Sequence, residues 1–379
     1  MNIKQRSYAS LSGQPVDRFP VTVLYNYLYF EDHFNELTGL PGWEMYRWLS
    51  SPPEGYLELF RKMISQAPFE LLQVHQAPSR QEREDSEFFE QEGHLYLRDN
   101  RSGAVERLDT VSGHAKDYKA SEVQRIFDRA DIRSVIKVPT PQDLLDLGLN
   151  DYLDQVVRDF GKDHYIISGG VVGTIYGCGQ YVGQQNLLAM LVDRPDFADE
   201  LCARFTEQNL ATIHQLTAAK GDAIYIDDAT ATREMISLKH YERFCLPYMK
   251  TLIDEIHRLG HQAIVIYFGG VEDRLEAIAS TGADGLQFET RMKSYTNDIE
   301  DAARRVGKQV TLFGNIDPVS VLQDASDPEL DAEIQRQLSA GRLGRGFILS
   351  TGSPITPGTP LQRVQKFLAS VQEPAGYST

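Results

Sequence analysis

The chain has 379 residues, 41% hydrophobic and 24% charged, which is enough apolar material for a sizeable core. Its 38 basic and 54 acidic residues give a net charge of −16, which argues against nucleic acid or an anionic membrane as a partner. An anionic substrate is not excluded, because it needs only a local basic pocket.

The first apolar run, residues 19–24, predicts a strand. It leads into Tyr25, Tyr27 and Tyr29, which share one face if the strand continues. The second run, residues 70–75, ends at His75. Alternation around Asn100-Arg101-Ser102-Gly103 then predicts a β-hairpin after strand two, in an insertion at about residues 80–115. That hairpin reads either as a cap over the barrel mouth or as surface decoration. Further strands are predicted at residues 165–168, 223–227, 263–267, 285–288, 309–313 and 346–350. Short and nearly continuously apolar, these runs suit parallel strands buried on both faces. Helical spacing marks residues 187–220, interrupted near Pro195, and residues 238–259, with shorter helices at 275–280 and 299–306. Eight alternations predict an α/β fold, a (β/α)8 TIM barrel, as one domain over residues 1–379.

Cys178, Cys202 and Cys245 lie far apart with no CxxC pair, and Cys178 falls in a Gly-rich loop after strand three. A disulfide framework is not expected, and the chain reads as cytoplasmic. Residues 1–6 are polar and carry no apolar signal core. No window approaches ~18 uninterrupted apolar residues, so no membrane span is expected.

Barrel enzymes work at the C-terminal ends of their strands. There the chain places Tyr25, Tyr27 and Tyr29, then His75, Gly169 and Gly170, Asp227 and Asp228, Tyr267, Gly269 and Gly270, Glu289 and Arg291, Asn315 and Asp317, Ser350 and Ser353. The mouth is rich in acids and phenols, with small residues that let a substrate approach the backbone. Adjacent carboxylates such as Asp227 and Asp228 repel, so one can hold a raised pKa and act as a general acid or bind a cationic group. Alternatively, one caps the next helix. Side chains alternate along a strand, so only one of the two faces the pocket, and the sequence does not say which. His75 suits proton transfer or a structural hydrogen bond, and Glu289 is a third candidate acid. The three tyrosines can stack on a planar ring or simply pack. Asn315 and Asp317 read more as turn-fixing residues.

Several segments resemble the uroporphyrinogen decarboxylase superfamily in order and spacing. They are Gly221-Asp222-Ala223-Ile224-Tyr225-Ile226-Asp227-Asp228, Thr281-Gly282-Ala283-Asp284-Gly285, Leu312-Phe313-Gly314-Asn315-Ile316-Asp317-Pro318, and the stretch from Gly346 through Pro354 to Pro360. The resemblance implies a barrel but does not fix the activity. Its decarboxylase branch carries an Arg-Gln-Ala-Gly-Arg segment after strand one, where this chain reads Leu24-Tyr25-Asn26-Tyr27-Leu28-Tyr29. Without those arginines a substrate with many carboxylates loses its cationic partners. The branch also uses an aspartate near the end of strand two, where His75 and Gln76 stand. The thiol-alkylating methyltransferases hold zinc with His-x-Cys-Gly after strand five and a Cys after strand eight. Here those positions are Tyr267, Gly269 and Ser353, so the usual zinc site is expected to be absent. A substitute set of His75, Asp228 and Glu289 is an alternative.

The resemblance then implies a methyltransferase that demethylates a small methyl ether or amine onto a corrinoid (cobalamin) carried by a partner protein. Tyr267, Asp228, His75 and Glu289 are the expected catalytic residues. Tyr25, Tyr27, Tyr29, Asp227, Arg291, Asn315 and Ser353 are expected to line the substrate. A cofactor-free decarboxylase or lyase, using Arg233 and Arg291 as cations, is the second reading. A non-catalytic tetrapyrrole- or corrinoid-binding barrel is the third. Members of the superfamily also suggest a homodimer.

Overall fold

The structure is a computed structural model and describes residues 1–108, 125–126 and 128–371. Its strands are β1 (Leu71–Gln73), β2 (Ser86–Gln91), β3 (His94–Asp99), β4 (Val105–Leu108), β5 (Tyr165–Val172) and β6 (Ala223–Asp228). They continue with β7 (Gln262–Tyr267), β8 (Gly285–Phe288), β9 (Arg291–Met292), β10 (Tyr295–Thr296), β11 (Thr311–Phe313) and β12 (Phe347–Ile348). Seven of them form one sheet in the order β1-β5-β6-β7-β8-β11-β12, every pairing parallel. Connections that return each strand parallel to the last run through helices, as parallel pairing requires.

The expected first strand is reduced to a bridge between Val21 and Leu349. The Leu349 amide donates to the Pro20 carbonyl at 2.9 Å, and the Glu70 amide donates to the Val21 carbonyl at 3.1 Å. The segment 20–22 therefore touches both edges of the sheet. Its short length follows from Pro20, which has no N–H to offer a ladder, and from Tyr25, whose φ of 48° breaks an extended chain.

Period-two alternation sorts the sheet into two faces. Leu71, Ile167, Ala223, Ile264, Ile266, Phe313 and Ile348 form an inner cluster with Leu24 and Tyr25. Ile224, Ile226, Val265, Tyr267, Leu286 and Phe288 belong to the larger outer core, which includes Leu216, Leu252 and Ile256 from the covering helices. Each such buried aliphatic or Phe side chain contributes ~1.5–3 kcal/mol relative to exposure.

The helices follow the sequence closely. The break near Pro195 falls between helices Gln184–Asp193 and Pro195–Thr217, and a second, at Cys245 before Pro247, splits the expected 238–259 helix into Leu238–Phe244 and Leu246–Arg258. Cys178 lies in the helix Thr174–Val182 rather than in a loop. In place of a single hairpin after the second expected strand stand three antiparallel strands, β2-β3-β4. Glu92 and Gly93, both at positive φ, turn β2 into β3. Residues 100–103 form the β3–β4 turn; the remainder of the expected insertion, from 109, lies outside the described residues. Among the described residues no helix is long and apolar enough to cross a membrane.

Candidate active site

The C-terminal edge of the sheet assigns the two aspartates. Asp227 follows Ala223 and Tyr225 on the inner face, while Asp228 follows Ile224 and Ile226 on the outer face. Tyr25 donates its hydroxyl to Asp227 Oδ2 at 2.5 Å. Asp227 Oδ1 lacks a well-aligned hydrogen bond, and the Ala229 amide offsets only part of the cost of its burial. Burial pushes the Asp227 carboxyl up to about 6, against the opposing hydrogen bond from Tyr25.

Asp228 is 2% exposed and accepts the Tyr241 hydroxyl at 2.7 Å. Burial raises its pKa to about 7; the Tyr241 hydrogen bond and the Arg274 charge oppose the rise, and Asp227 adds to it. Arg274, itself fully buried, lies over the Tyr241 ring and donates to the Ala231 and Ile236 carbonyls at 2.7 and 3.0 Å. Asp228 and Tyr241 thus belong to a buried framework that holds residues 231–236. Asp228 was expected to act in the pocket, but strand alternation turns it away.

Tyr267 shares that outer placement. It pairs in register with Asp228, is 0% exposed, and packs edge-on to Tyr241 at 6.3 Å. Its expected place at the pocket floor is taken by Phe268, the next residue, which packs on the inner cluster. A run apolar on both faces carries no alternation that could have distinguished the two.

The three tyrosines do not share a strand face, because Asn26–Asp32 is a helix. Tyr25, at its N-terminal boundary in the left-handed region, presents its ring to Tyr27, Tyr225 and Phe268 at 5.7, 5.8 and 6.3 Å. A non-glycine residue in that conformation is strained and persists only where its surroundings hold it. Tyr29 instead points into the core, 1% exposed and stacked on His33 at 4.3 Å. Tyr225 owes its place to Gly170, since a Cβ there would lie 2.3 Å from its ring. That glycine therefore admits a side chain rather than a substrate.

His75 is half-buried, with Nδ1 3.5 Å from Glu31 Oε1 and the Tyr27 ring edge-on at 5.9 Å. It also borders a small apolar cavity of about 20 Å3 with Phe30, Met45 and Tyr56, room for roughly one water molecule.

Glu289 continues the inner face beyond Gln287. Its Oε2 accepts the Gly269 amide at 3.1 Å and the Tyr295 hydroxyl, and the Ser353 hydroxyl bonds the same carboxylate. Burial raises its pKa, and these three donors oppose the rise. Gly269 has φ 126°, which turns its amide toward Glu289 in a conformation that favours glycine. Arg291 is exposed and engaged by Asp317 at 3.1 Å and Ser320 at 2.9 Å. Asn315 is fully buried, donating to the Asn297 carbonyl at 2.8 Å and accepting from Gln337 at 3.0 Å. Both therefore fix loops, and Asp317 caps the turn at Pro318 by accepting the Val319 and Ser320 amides. Tyr225, Phe268, Tyr241 and Tyr295 were not anticipated; only Tyr225 was signalled, by its two-residue spacing from Asp227.

The positions where the resemblance puts zinc ligands do not fit a metal. Tyr267 faces the helices, Gly269 has no side chain, and the Ser353 hydroxyl is bound to Glu289. The substitute set of His75, Asp228 and Glu289 is not brought together, because Asp228 faces outward; among the described residues no three His, Cys, Asp or Glu side chains cluster as a metal site.

Comparison with known proteins agrees with this architecture. Over 98% of both chains the fold matches a methyltransferase from Methanosarcina mazei with a TM-score of 0.70 at 18% identity, a likeness of fold alone. A methylcobamide:CoM methyltransferase of Methanosarcina mazei is 26% identical over 211 residues, 55% of this chain and 58% of that protein. A uroporphyrinogen decarboxylase of Pseudomonas fluorescens is 32% identical over 190 residues, 49% of this chain and 50% of that protein. The chain thus spans about half the length of these two curated relatives. The family model of uroporphyrinogen decarboxylase (URO-D) matches residues 120–374, most of the chain. The chain belongs to the URO-D family.

Proposed function

We propose that this chain is a single-domain (β/α)8 barrel, closed by residues 20–22. In this reading it is a methyltransferase that takes a methyl group from a small methyl ether or amine and passes it to a corrinoid, without the usual zinc site. The observation that carries the reading is the Tyr25–Asp227 pair: a half-buried carboxyl with pKa about 6, set among Tyr27, Tyr225 and Phe268. The relative whose name includes methylcobamide supports a corrinoid as a partner in methyl transfer, although there the methylated corrinoid is the donor and the reading here runs the transfer the other way.

The corrinoid, carried by a separate protein, would supply the cobalt nucleophile. The chain's own task is to orient the methyl group and to meet the charge on the heteroatom that loses it. The aromatic side chains bound the donor's apolar body. Asp227 meets the heteroatom, as a proton donor to a leaving oxygen or as the counter-charge of a nitrogen cation. Tyr25 holds the carboxyl in place. Asp227 therefore takes the role first expected of Asp228 and Tyr267, with Glu289 as the second inner-face acid.

The decarboxylase reading needs cations for an acidic ring. Arg233 is engaged by Glu272 at 2.5 Å, and Arg291 by Asp317. That pairing favours a neutral or cationic donor.

The test is formation of methylcobalamin from reduced cobalamin, followed spectroscopically, with a panel of methyl ethers and methylamines. Methylation by the wild type, lost in Asp227→Asn, supports the reading. A panel without any methylcobalamin, together with release of CO2 from an acidic ring substrate, overturns it.

A further inference from the structure

The inner face of the mouth carries two carboxylates and several aromatic rings, and its acids are held by neutral groups. Asp227 accepts from a phenol. Glu289 accepts from a phenol, a serine hydroxyl and a backbone amide. Among the described residues neither forms an ion pair. The arginines on the neighbouring loops are engaged elsewhere, Arg233 with Glu272 and Arg291 with Asp317.

The two acids stand in a defined relation. Asp227 is in register with Ile266 on β7, and Ile266 with Gln287 on β8. Two strand spacings separate Asp227 from Gln287, about 10 Å, and Glu289 lies one inward-facing position further along. Phe268 extends the strand between them and faces the Tyr25 ring at 6.3 Å. The result is a carboxylate on each side of an aromatic floor. An aromatic face attracts a cation through its quadrupole, and a half-buried carboxylate without a cationic partner gains from one. A neutral ether gains only the first, weaker contact.

We propose that the methyl donor is a methylated ammonium, bound with its cationic centre between Asp227 and Glu289 and its methyl groups against Tyr25, Tyr225 and Phe268. This rests on the methyl-transfer reading and narrows it to one donor class. The donor loses its methyl as CH3+ to the acceptor's electron pair, and the C–N electrons stay on nitrogen. The ammonium thus leaves as a neutral amine and needs no proton from the enzyme. Asp227 then serves as a counter-ion rather than an acid.

The test is calorimetric titration of the purified full chain with tetramethylammonium chloride and with its neutral near-isostere, tert-butyl methyl ether. Tetramethylammonium is expected to saturate one site at least about tenfold more tightly than the ether. At pH 6 its binding should release part of a proton, seen as a heat that depends on the buffer. Asp227→Asn and Glu289→Gln should each weaken the cation more than the ether, so that the preference for the cation narrows. The wild-type comparison of the two ligands stands even if a variant folds poorly. If the ether binds as tightly as the cation, or the folded variants bind the cation undiminished, the donor is not an ammonium, while methyl transfer from an ether to reduced cobalamin still stands to be seen. If neither ligand binds and no donor methylates cobalamin, both readings fall.

Discussion

Asp227 and Asp228 are adjacent in the chain and point to opposite sides of the sheet, one to the Tyr25 hydroxyl at 2.5 Å and the other to the Tyr241 hydroxyl at 2.7 Å. Both carboxyls are raised by burial, yet only the first lies on the inner face. Their substitutions should therefore separate function from stability. Asp227→Asn should lower methyl transfer by about 10²-fold or more without loss of stability. Asp228→Ala strands the buried Tyr241 hydroxyl and should cost about 1–3 kcal/mol in urea unfolding, with turnover per folded molecule kept. The opposite pattern would mean that the outer carboxyl acts in the chemistry.

The same pair makes stability fall as pH rises. The folded carboxyls sit at about 6 and about 7, above the ordinary 3.8, so the folded state holds protons that the unfolded state has released. The stabilisation is complete below the unfolded pKa and is lost as pH rises through the folded values. Asp228→Asn keeps the neutral form at every pH. Relative to wild type it should gain roughly 2–4 kcal/mol between pH 5 and pH 8. Parallel urea midpoints for the two proteins across that range would show Asp228 to be ionised cheaply where it stands.

Tyr25→Phe bears on the inner carboxyl alone. The Tyr25 hydroxyl holds the Asp227 pKa down, against burial, with Tyr225 and Tyr27 also close to it. If the ionised carboxylate binds a cation, tetramethylammonium affinity rises with pH and has its midpoint near 6. Loss of the phenol donor should move that midpoint up by about one unit. A midpoint that stays in place would mean the phenol does not set the charge of Asp227.

The repeat of strand and helix was legible because parallel strands leave short apolar runs. Seven of the eight expected strands lie in the sheet, and the helix expected at 299–306 is Ile299–Val306. Facing was not legible in the same runs. β7 is buried at every position, so nothing in Gln262–Tyr267 separates an inner from an outer residue, and Tyr267 was placed on the wrong side. Tyr25, Tyr27 and Tyr29 alternate as a strand would, but the chain turns at Tyr25 and continues as a helix. The partners Tyr241 and Tyr295 come from elements whose approach is a property of tertiary packing, which no local pattern carries. The charge balance pointed away from nucleic acid and anionic membranes, and could not show that Arg233 and Arg291 are engaged by Glu272 and Asp317.

Zinc should play no part in the site, for reasons of side-chain chemistry. Of the three positions that the resemblance assigns to metal ligands, one phenol faces the helices, one residue is glycine, and one hydroxyl is committed to Glu289. A neutral serine hydroxyl is a poor substitute for a thiolate. Purified protein should therefore hold well under one zinc per chain, and dialysis against EDTA should leave methyl transfer and cation binding unchanged. Zinc that survives Ser353→Ala would lie away from the mouth and leave the zinc-free site intact. One equivalent of zinc that disappears with Ser353→Ala, together with activity that EDTA abolishes, would return the metal to the mouth and give Glu289 the part of a ligand.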